Sequence, residues 1–269
     1  MKNVGNRMNG LALHYYTVPT GNWRKKGPAI NFDEDQWIST LQRTLRMEEL
    51  ITKHSAVMDR HDPEKRIALV VDEWGTWYDV EAGTNPGFLY QQNTLRDALV
   101  AALNLHIFHA HADRVTMANI AQIINVLQSV ILTDKEKMIV TPTYHVFEMF
   151  NVHQDATLLP VTLVSPDYVR GQIRIPAVGA SASRAKSGRI HLSLANCDPQ
   201  KPATIATTLT GVPARSASGR ILTAPAMNTH NTFAHPDAIK PAPFAGAKFS
   251  GSTLTVELPP KSVVILELN

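Results

Sequence analysis

The chain has 269 residues, of which 44% are hydrophobic and 18% charged, so it can bury a core and is not intrinsically disordered. Its net charge of +3 comes without a basic run, which argues against nucleic acid as a partner. No apolar stretch approaches the roughly 20 residues of a membrane span, and Met1–Arg7 lacks the apolar run of a signal peptide. The single cysteine, Cys197, cannot form an internal disulfide. We therefore expect a cytoplasmic protein that binds neither membrane nor nucleic acid.

The chain begins with patterns of a strand, a helix and a second strand. Leu11–Tyr16 is typical of a buried strand. Asp33 and Gln36 have the spacing of a helix capping box. The helix predicted after them carries an apolar stripe formed by Trp37, Ile38, Leu41 and Leu45. Ile67–Val71 is continuously apolar, as expected of a parallel strand that is covered on both faces.

The same alternation continues to about residue 155. Leu95, Leu99 and Leu103 predict a helix, and the run Leu105–Phe108 predicts another strand. A further amphipathic helix is predicted from apolar residues three and four apart, namely Met117, Ile120, Ile124, Leu127 and Ile131. Alternating strands and helices predict an α/β unit with a parallel sheet over residues 1–155.

After about Pro160 the pattern changes to short segments with period two. These segments are Ile190–Leu194, Ala203–Leu209, Leu254–Leu258 and Val263–Leu266. Thr, Ser, Pro and Gly become frequent between them. Such strands separated by turn residues predict an antiparallel β-sandwich over residues 156–269.

The α/β part supplies only about three strands, whereas a (β/α)₈ barrel takes about 250 residues. Standing alone, it would expose the edges of a parallel sheet. We expect either that another chain provides partner strands or that this chain is part of a longer protein.

The sharpest chemical feature is Asp72-Glu73-Trp74, which follows the apolar run Ile67–Val71. Reactive groups of α/β barrels lie at the carboxyl ends of strands. Here the acid is close to Trp77 and Tyr78, and aromatic rings pack on the apolar faces of sugars while a carboxylate attacks the anomeric carbon. The alternative is a carboxylate that caps a helix or pairs with an arginine.

The end of the preceding strand carries His14 and Tyr16, which alternation places on one side of the strand. They either face the same site as Glu73 or form hydrogen bonds within the core. Further along, His109, His111 and Asp113 alternate in the same way. Because a metal site needs three or four converging ligands, we expect these three to form hydrogen bonds and predict neither a metal nor a cofactor.

Five segments together resemble glycoside hydrolase family fifty-one, the α-L-arabinofuranosidases. They are Met8–Thr17, Val70–Tyr78, Phe108–Val115 with Met117–Gln122, Thr141–Phe147, and Leu258–Val264. The resemblance spans essentially the whole chain, and the ordered series is more specific than any one segment. One departure is Gly75, where an asparagine is expected more often.

The resemblance implies strands six to eight of a (β/α)₈ barrel followed by a jelly-roll-like sandwich. It implies that Glu73 is the nucleophile of a retaining enzyme, that His14 and Tyr16 contact the furanose or the catalytic carboxylates, and that Trp77 forms part of the sugar subsite. The substrates would be terminal α-L-arabinofuranosyl groups of arabinan or arabinoxylan oligosaccharides. The alternative enzyme activity is that of a different retaining glycosidase with a similar barrel, such as a β-xylosidase. The family commonly forms hexamers.

In that family the acid/base is a glutamate of an Asn-Glu pair on strand four, ahead of the segment that Met8–Thr17 resembles. The expectation is therefore a chain without its N-terminal barrel half, and weak or inactive alone, since general acid catalysis contributes about 10²–10⁴-fold. The rival expectation is a non-catalytic remnant, or one subunit of a split glycosidase that acts in carbohydrate binding or assembly.

Overall fold

The computed structural model describes residues 5–211 and 214–269. The first four residues of Met1–Arg7, on which the prediction about a signal peptide partly rests, lie outside the described residues. None of the helices within the described ranges is both long and apolar enough to cross a membrane.

The first part of the chain forms a three-stranded parallel sheet with helices between its strands. In chain order the elements are β1 (Gly10–Thr17), α1 (Glu34–Thr44), α2 (Arg46–Asp59), β2 (Ala68–Thr76), α3 (Leu95–Ala110) and β3 (Val115–Ile120). Strand β2 lies in the middle and pairs with β1 and β3 in parallel. The parallel sheet and its first two strands are as predicted, whereas β3 is not the third strand that the sequence predicted. Within the described ranges no other strand pairs with β1 or β3, so this sheet by itself is not a closed barrel.

The predicted start of the first helix is confirmed in detail. Asp33 is the N-cap of α1, accepts a 2.9 Å hydrogen bond from the main-chain nitrogen of Gln36, and forms a full capping box with it. Trp37, Ile38 and Leu41 are fully buried. The cap fixes where the helix begins, and the apolar stripe fixes which face it buries.

Two predictions for the middle of the chain are wrong. The run Leu105–Phe108 is the last part of α3, which begins at the Thr94 capping box and continues to Ala110. This helix is buried on nearly every side, so its sequence does not show the polar face that distinguishes a surface helix from a strand.

The predicted amphipathic helix over Met117–Ile131 is also wrong. Its first residues belong to β3, and the rest form a loop that leads to the hairpin of β4 (Ile131–Asp134) and β5 (Lys137–Val140). The spacing suggested a buried stripe, but Met117 is 54% exposed and Ile124 is 48% exposed. Without burial of that face, pairing with β2 determines the structure instead.

After α4 (Pro142–Phe150) the chain forms antiparallel sheets, as predicted. The strands are β6 (Thr157–Leu159), β7 (Asp167–Arg170), β8 (Ile173–Pro176), β9 (Val178–Arg184), β10 (Ile190–Asn196), β11 (Ala203–Thr208), β12 (Ala217–Leu222), β13 (Ala242–Phe244), β14 (Ala247–Ser250), β15 (Thr253–Leu258) and β16 (Ser262–Leu268). A six-stranded sheet has the order β13-β12-β16-β10-β9-β6, and a three-stranded sheet has the order β11-β15-β14.

One continuous apolar core joins the parallel sheet, the helices and the sandwich. Helix α3 packs on β9, β10 and β16, and α1 packs on β7 and β8. Trp37 of α1 donates a 2.9 Å hydrogen bond from its indole nitrogen to the carbonyl oxygen of Cys197, just beyond β10. The sandwich therefore supports the helices that support the parallel sheet.

Two histidines that are buried or half-buried lie at this junction. His109 of α3 is within 2.9 Å of the Ser181 hydroxyl, and His153 is within 2.7 Å of the Ser183 hydroxyl. The rings of His109 and His153 are 4.9 Å apart. Burial lowers the pKa of His109 to about 4 and that of His153 to about 3, so these rings are neutral where the helix meets the sheet.

Candidate active site

Glu73 lies near the carboxyl end of β2, opposite His14 in the register with β1. Tyr16, two residues further along β1, donates a 2.6 Å hydrogen bond from its hydroxyl to Oε1 of Glu73. Burial raises the pKa of the Tyr16 hydroxyl, and the hydrogen bond to Glu73 and its negative charge raise that pKa further. Tyr16 therefore remains a donor and holds one carboxylate oxygen in place.

His14 lies between two carboxylates. Its Nδ1 is 3.3 Å from Oε2 of Glu73, and its Nε2 is 3.1 Å from Oδ1 of Asp72. Oδ1 of Asp72 has no well-oriented hydrogen-bond partner among the described residues. Both oxygens of Glu73 thus have a polar neighbour from β1, while the carboxylate remains 37% exposed.

The wall beside Glu73 is aromatic. The Trp77 ring meets the Tyr16 ring edge to face at 4.9 Å and the Trp23 ring at 5.4 Å. The ammonium of Lys26 lies 5.9 Å from the Trp77 ring. Rings of this kind pack on the apolar face of a sugar, and the cation adds a polar group at the rim.

Not all the aromatic residues near Glu73 in sequence take part in this wall. Trp74 is fully buried in the core, where its ring packs against Phe108 and Phe147. Tyr78 is 1% exposed and donates its hydroxyl to Asp97. Of the three aromatic residues that follow Glu73, Trp77 is the one in contact with the Tyr16 ring.

An open cavity of about 570 Å³ lies next to His14, Tyr16 and Trp23. It is lined by His14, Tyr16, Trp23, Arg43 and Arg46, among others. The cavity lies along β1, the strand whose outer edge has no strand partner among the described residues. The cavity shares His14, Tyr16 and Trp23 with the site, whereas Glu73 and Trp77 are not among the residues that line it.

The residues His109, His111 and Asp113 do not converge. His109 contacts Ser181, His111 is 2.7 Å from Glu48, and Asp113 pairs with Lys65. No group of three or more His, Cys, Asp or Glu in the described ranges is arranged to hold a metal ion. The alternation that suggested one face of a strand in fact falls on the end of α3 and the turn after it.

Trp23 and Lys26 were not predicted from the sequence. Both lie in the loop after β1, and Trp23 is 55% exposed. The sequence did carry a signal for Trp23. A tryptophan in a loop that contains Gly and Pro, shortly after the end of a strand, is not part of an apolar pattern that would bury it. The loop brings it to Trp77, 54 positions later in the chain, which no local pattern indicates.

Comparisons with known proteins agree on one family. A family model of the α-L-arabinofuranosidase C-terminal domain matches residues 72–262. The chain is 51% identical over its whole length to an intracellular exo-α-L-arabinofuranosidase of Bacteroides ovatus, of which it covers 52%. It is 25% identical to an intracellular exo-α-(1→5)-L-arabinofuranosidase of Bifidobacterium longum, with 86% of this chain and 47% of that protein covered.

Solved structures give the same result. The crystal structure of the GH51 arabinofuranosidase from Xanthomonas axonopodis pv. citri superposes with a TM-score of 0.96 at 55% identity, covering 97% of this chain and 53% of that one. A family 51 α-L-arabinofuranosidase from Bifidobacterium longum superposes with a TM-score of 0.83 at 22% identity, and the match covers 98% of this chain and 53% of that one. At this identity the match supports the fold alone. The chain spans about half the length of these relatives.

Proposed function

The chain belongs to the family of the α-L-arabinofuranosidase C-terminal domain, and we propose that it carries the nucleophile of a retaining α-L-arabinofuranosidase. The substrates are terminal, non-reducing α-L-arabinofuranosyl groups of arabinan or arabinoxylan oligosaccharides. The observation that carries this proposal is the carboxylate of Glu73, held at 2.6 Å by Tyr16 at the end of β2 and open to solvent beside Trp77. We place the protein in the cytoplasm, as the names of the Bacteroides and Bifidobacterium relatives suggest.

In the proposed reaction, an oxygen of Glu73 attacks the anomeric carbon of the furanose. The bond from that carbon to the leaving oxygen breaks, and the leaving oxygen takes a proton from a second carboxyl group. Water, deprotonated by the same second group, then attacks the anomeric carbon and releases arabinose and the free Glu73 carboxylate. Tyr16 and His14 orient the nucleophile, and Trp77 and Trp23 pack on the sugar.

The second carboxyl group must lie about 5–5.5 Å from the nucleophile in a retaining enzyme. We propose that polypeptide beyond the three strands of this chain supplies it, together with the remaining strands of a (β/α)₈ barrel in which β1, β2 and β3 are strands six to eight. The outer edges of β1 and β3, which no other strand of the described residues covers, support this proposal. So do Leu11 and Met117, which are 37% and 54% exposed on those strands. Residues 1–155 would then be the barrel part and residues 156–269 the sandwich domain.

The test is hydrolysis of two aryl α-L-arabinofuranosides that differ in leaving group. A 2,4-dinitrophenolate leaves without a proton, whereas 4-nitrophenolate benefits from an acid. We expect the purified chain to cleave the dinitrophenyl substrate slowly and to strongly prefer it over the nitrophenyl one. Glu73→Gln should reduce the rate by more than about 10³-fold.

The matched control is Glu64→Gln, which makes the same substitution at an exposed position before β2. It should leave the rate unchanged. Cleavage that persists in Glu73→Gln would contradict the proposal. Absence of any cleavage, together with tight binding of arabino-oligosaccharides, would favour a non-catalytic subunit that acts in carbohydrate binding or assembly.

A further inference from the structure

The main chain that follows Glu73 is held by side chains as well as by a strand. The amide of Trp77 donates a 3.0 Å hydrogen bond to the carbonyl oxygen of Thr17 at the end of β1. The amides on either side donate to glutamine side chains: Thr76 to Oε1 of Gln128 and Tyr78 to Oε1 of Gln91, both at 2.8 Å. The last pair between β2 and β3 is Trp74 with Ile120. Beyond it, the side chains of the two glutamines accept the main-chain hydrogen bonds that a neighbouring strand would otherwise accept.

A buried carboxylate joins the side chains of the same segment. Oδ1 of Asp97 accepts hydrogen bonds from the hydroxyls of Thr76, at 2.8 Å, and Tyr78, at 2.9 Å. Its Oδ2 accepts a 2.7 Å hydrogen bond from the amide of Thr94. Asp97 is fully buried in the first turn of α3, so it ties the segment after Glu73 to a helix that packs on both the parallel sheet and the sandwich.

The two glutamines and the carboxylate form one network, which we call the Asp97 clamp (Gln91, Asp97 and Gln128). Gln91 donates from Nε2 to the Thr76 hydroxyl oxygen at 3.2 Å. Gln128 donates from Nε2 to the carbonyl oxygen of Asp97 at 2.9 Å. Gln91 is 1% exposed and the other two members are fully buried, so none of them is open to a ligand in solution.

The Tyr78 ring is fixed from another side. The guanidinium of Arg96 stacks on it at 4.3 Å and on Phe32 at 3.7 Å. Arg96 also donates to the carbonyl oxygens of Pro28 and Ala29, at 3.0 and 3.2 Å. Tyr78 is therefore held at its hydroxyl by the clamp and at its ring by Arg96.

Thr76 and Tyr78 point into this network, and Trp77 between them contacts Tyr16 and Trp23 on the other side. We propose that Asp97 is a positioning residue: through Thr76 and Tyr78, the Asp97 clamp fixes the Trp77 indole beside the Tyr16–Glu73 pair. The effect of the clamp on sugar binding rests on the proposed function. Its effect on the position of Trp77 does not, because the contacts from Asp97 to Thr76 and Tyr78 are made within the chain and involve no sugar.

The experiment uses the full chain labelled with 5-fluorotryptophan, whose four tryptophans give separate ¹⁹F signals. Trp77→Phe, Trp23→Phe and Trp37→Phe assign three of them, and the fourth is Trp74. Asp97→Asn replaces one acceptor oxygen with an NH2 group, which then faces either the Thr76 and Tyr78 hydroxyls or the Thr94 amide. It should shift and broaden the Trp77 signal while leaving that of Trp37 in place. Gln91→Met keeps the length of the side chain, removes its hydrogen bonds, and should act on Trp77 in the same way.

The matched control is Asn196→Asp, an equally small change at a fully buried residue of the sandwich that donates to the carbonyl oxygens of Lys201 and Pro259. It should lower stability without moving the Trp77 signal. If Asp97→Asn or Gln91→Met folds and keeps the Trp77 signal of the unaltered chain, the positioning role is wrong.

A kinetic measurement separates this inference from the function it rests on. With 2,4-dinitrophenyl α-L-arabinofuranoside, Asp97→Asn should raise KM roughly three- to tenfold and change kcat less, since ground-state contact with Trp77 is lost while Glu73 remains. An unchanged KM in a variant whose Trp77 signal has moved would contradict the role in sugar binding. If the unaltered chain cleaves no arabinofuranoside, the proposed function fails, and the ¹⁹F result still decides whether the clamp positions Trp77.

Discussion

The hydroxyl of Tyr16 donates a 2.6 Å hydrogen bond to Oε1 of Glu73, across the pairing of β1 with β2. The parallel register brings the ends of two strands together, and the residues at those ends are separated by more than 50 positions in the chain. A tyrosine that stays protonated can orient the carboxylate without neutralising it.

Tyr16→Phe should slow the formation of the arabinosyl-enzyme by about 10–100-fold. A hydrogen bond to a charged group contributes about 1.5–3 kcal/mol, and each 1.36 kcal/mol is about tenfold in rate. The measurement is the release of dinitrophenolate from the activated substrate. Tyr15→Phe is the control, since that hydroxyl donates to the carbonyl oxygen of Arg43 and not to the site. Equal rates in the two variants would contradict the role of Tyr16.

Gly75→Asn introduces the residue that the family resemblance would lead one to expect, and it should destabilise this chain. A Cβ at Gly75, where φ is +156°, would lie 3.1 Å from the carbonyl oxygen of Ala121 and 3.3 Å from Cβ of Gln128. Overpacking of this kind costs about 1–3 kcal/mol. Urea denaturation measures the loss. Gly188→Asn is the control, because it also has a positive φ but no atom within 4 Å of the added Cβ; equal losses would rule out the packing explanation.

Stability should fall as the pH drops from about 6.5 towards 4. His109 and His153 have folded-state pKa values of about 4 and about 3, lowered by burial from 6.5. In that window the unfolded chain binds protons at these residues and the folded chain does not, so each histidine costs about 1.4 kcal/mol per pH unit. Urea denaturation at several pH values between 7 and 4 measures the slope.

His106→Leu should reduce that slope. Burial lowers the pKa of His106 well below 6.5, and neither of its ring nitrogens has a hydrogen-bond partner among the described residues. An apolar side chain there removes a group that the unfolded state protonates, without breaking a hydrogen bond. His235→Leu, at an exposed position, is the control. A slope unchanged in His106→Leu would show that this residue does not contribute to acid sensitivity.

The parallel sheet and the sandwich should unfold in a single transition, because they share one core. All four tryptophans lie in residues 23–77 and report on the first part. Cys197 reports on the sandwich: it is fully buried, and burial raises the pKa of its thiol to about 12, with a further contribution from the charge of Asp198. Tryptophan fluorescence and thiol reactivity should therefore give the same urea midpoint. A lower midpoint for the thiol would mean that the sandwich unfolds first.

The sequence was informative where local chemistry determines structure. The Asp33 capping box, the continuous apolar run before Asp72 and the strands β10 and β15 all form as predicted, although β10 is buried at every position and does not alternate. The strand ends that carry His14, Tyr16 and Glu73 were also predictable, since parallel strands place their carboxyl ends at one edge. Their roles in catalysis remain a proposal.

The errors arose where tertiary context overrides local pattern. Helix α3 is buried on nearly all sides and so has no polar face to mark Leu105–Phe108 as helical. Within Met117–Ile131 the first residues belong to β3 and the rest form a loop in which Ile124 is exposed and Leu127 buried, so the helical spacing does not correspond to one buried face. The Asp97 clamp and Trp23 were not predicted because their contacts join residues that are far apart in the chain.

The central claim is that Glu73 is the nucleophile, and covalent trapping tests it most directly. The chain is incubated with 2,4-dinitrophenyl 2-deoxy-2-fluoro-α-L-arabinofuranoside, which needs no acid for the first step and gives an intermediate that hydrolyses slowly. Peptide mapping by mass spectrometry then locates the adduct. We predict one fluoroarabinosyl group on Glu73 and none in Glu73→Gln. An adduct on another residue, or no adduct under conditions in which the chain binds the sugar, would contradict the claim.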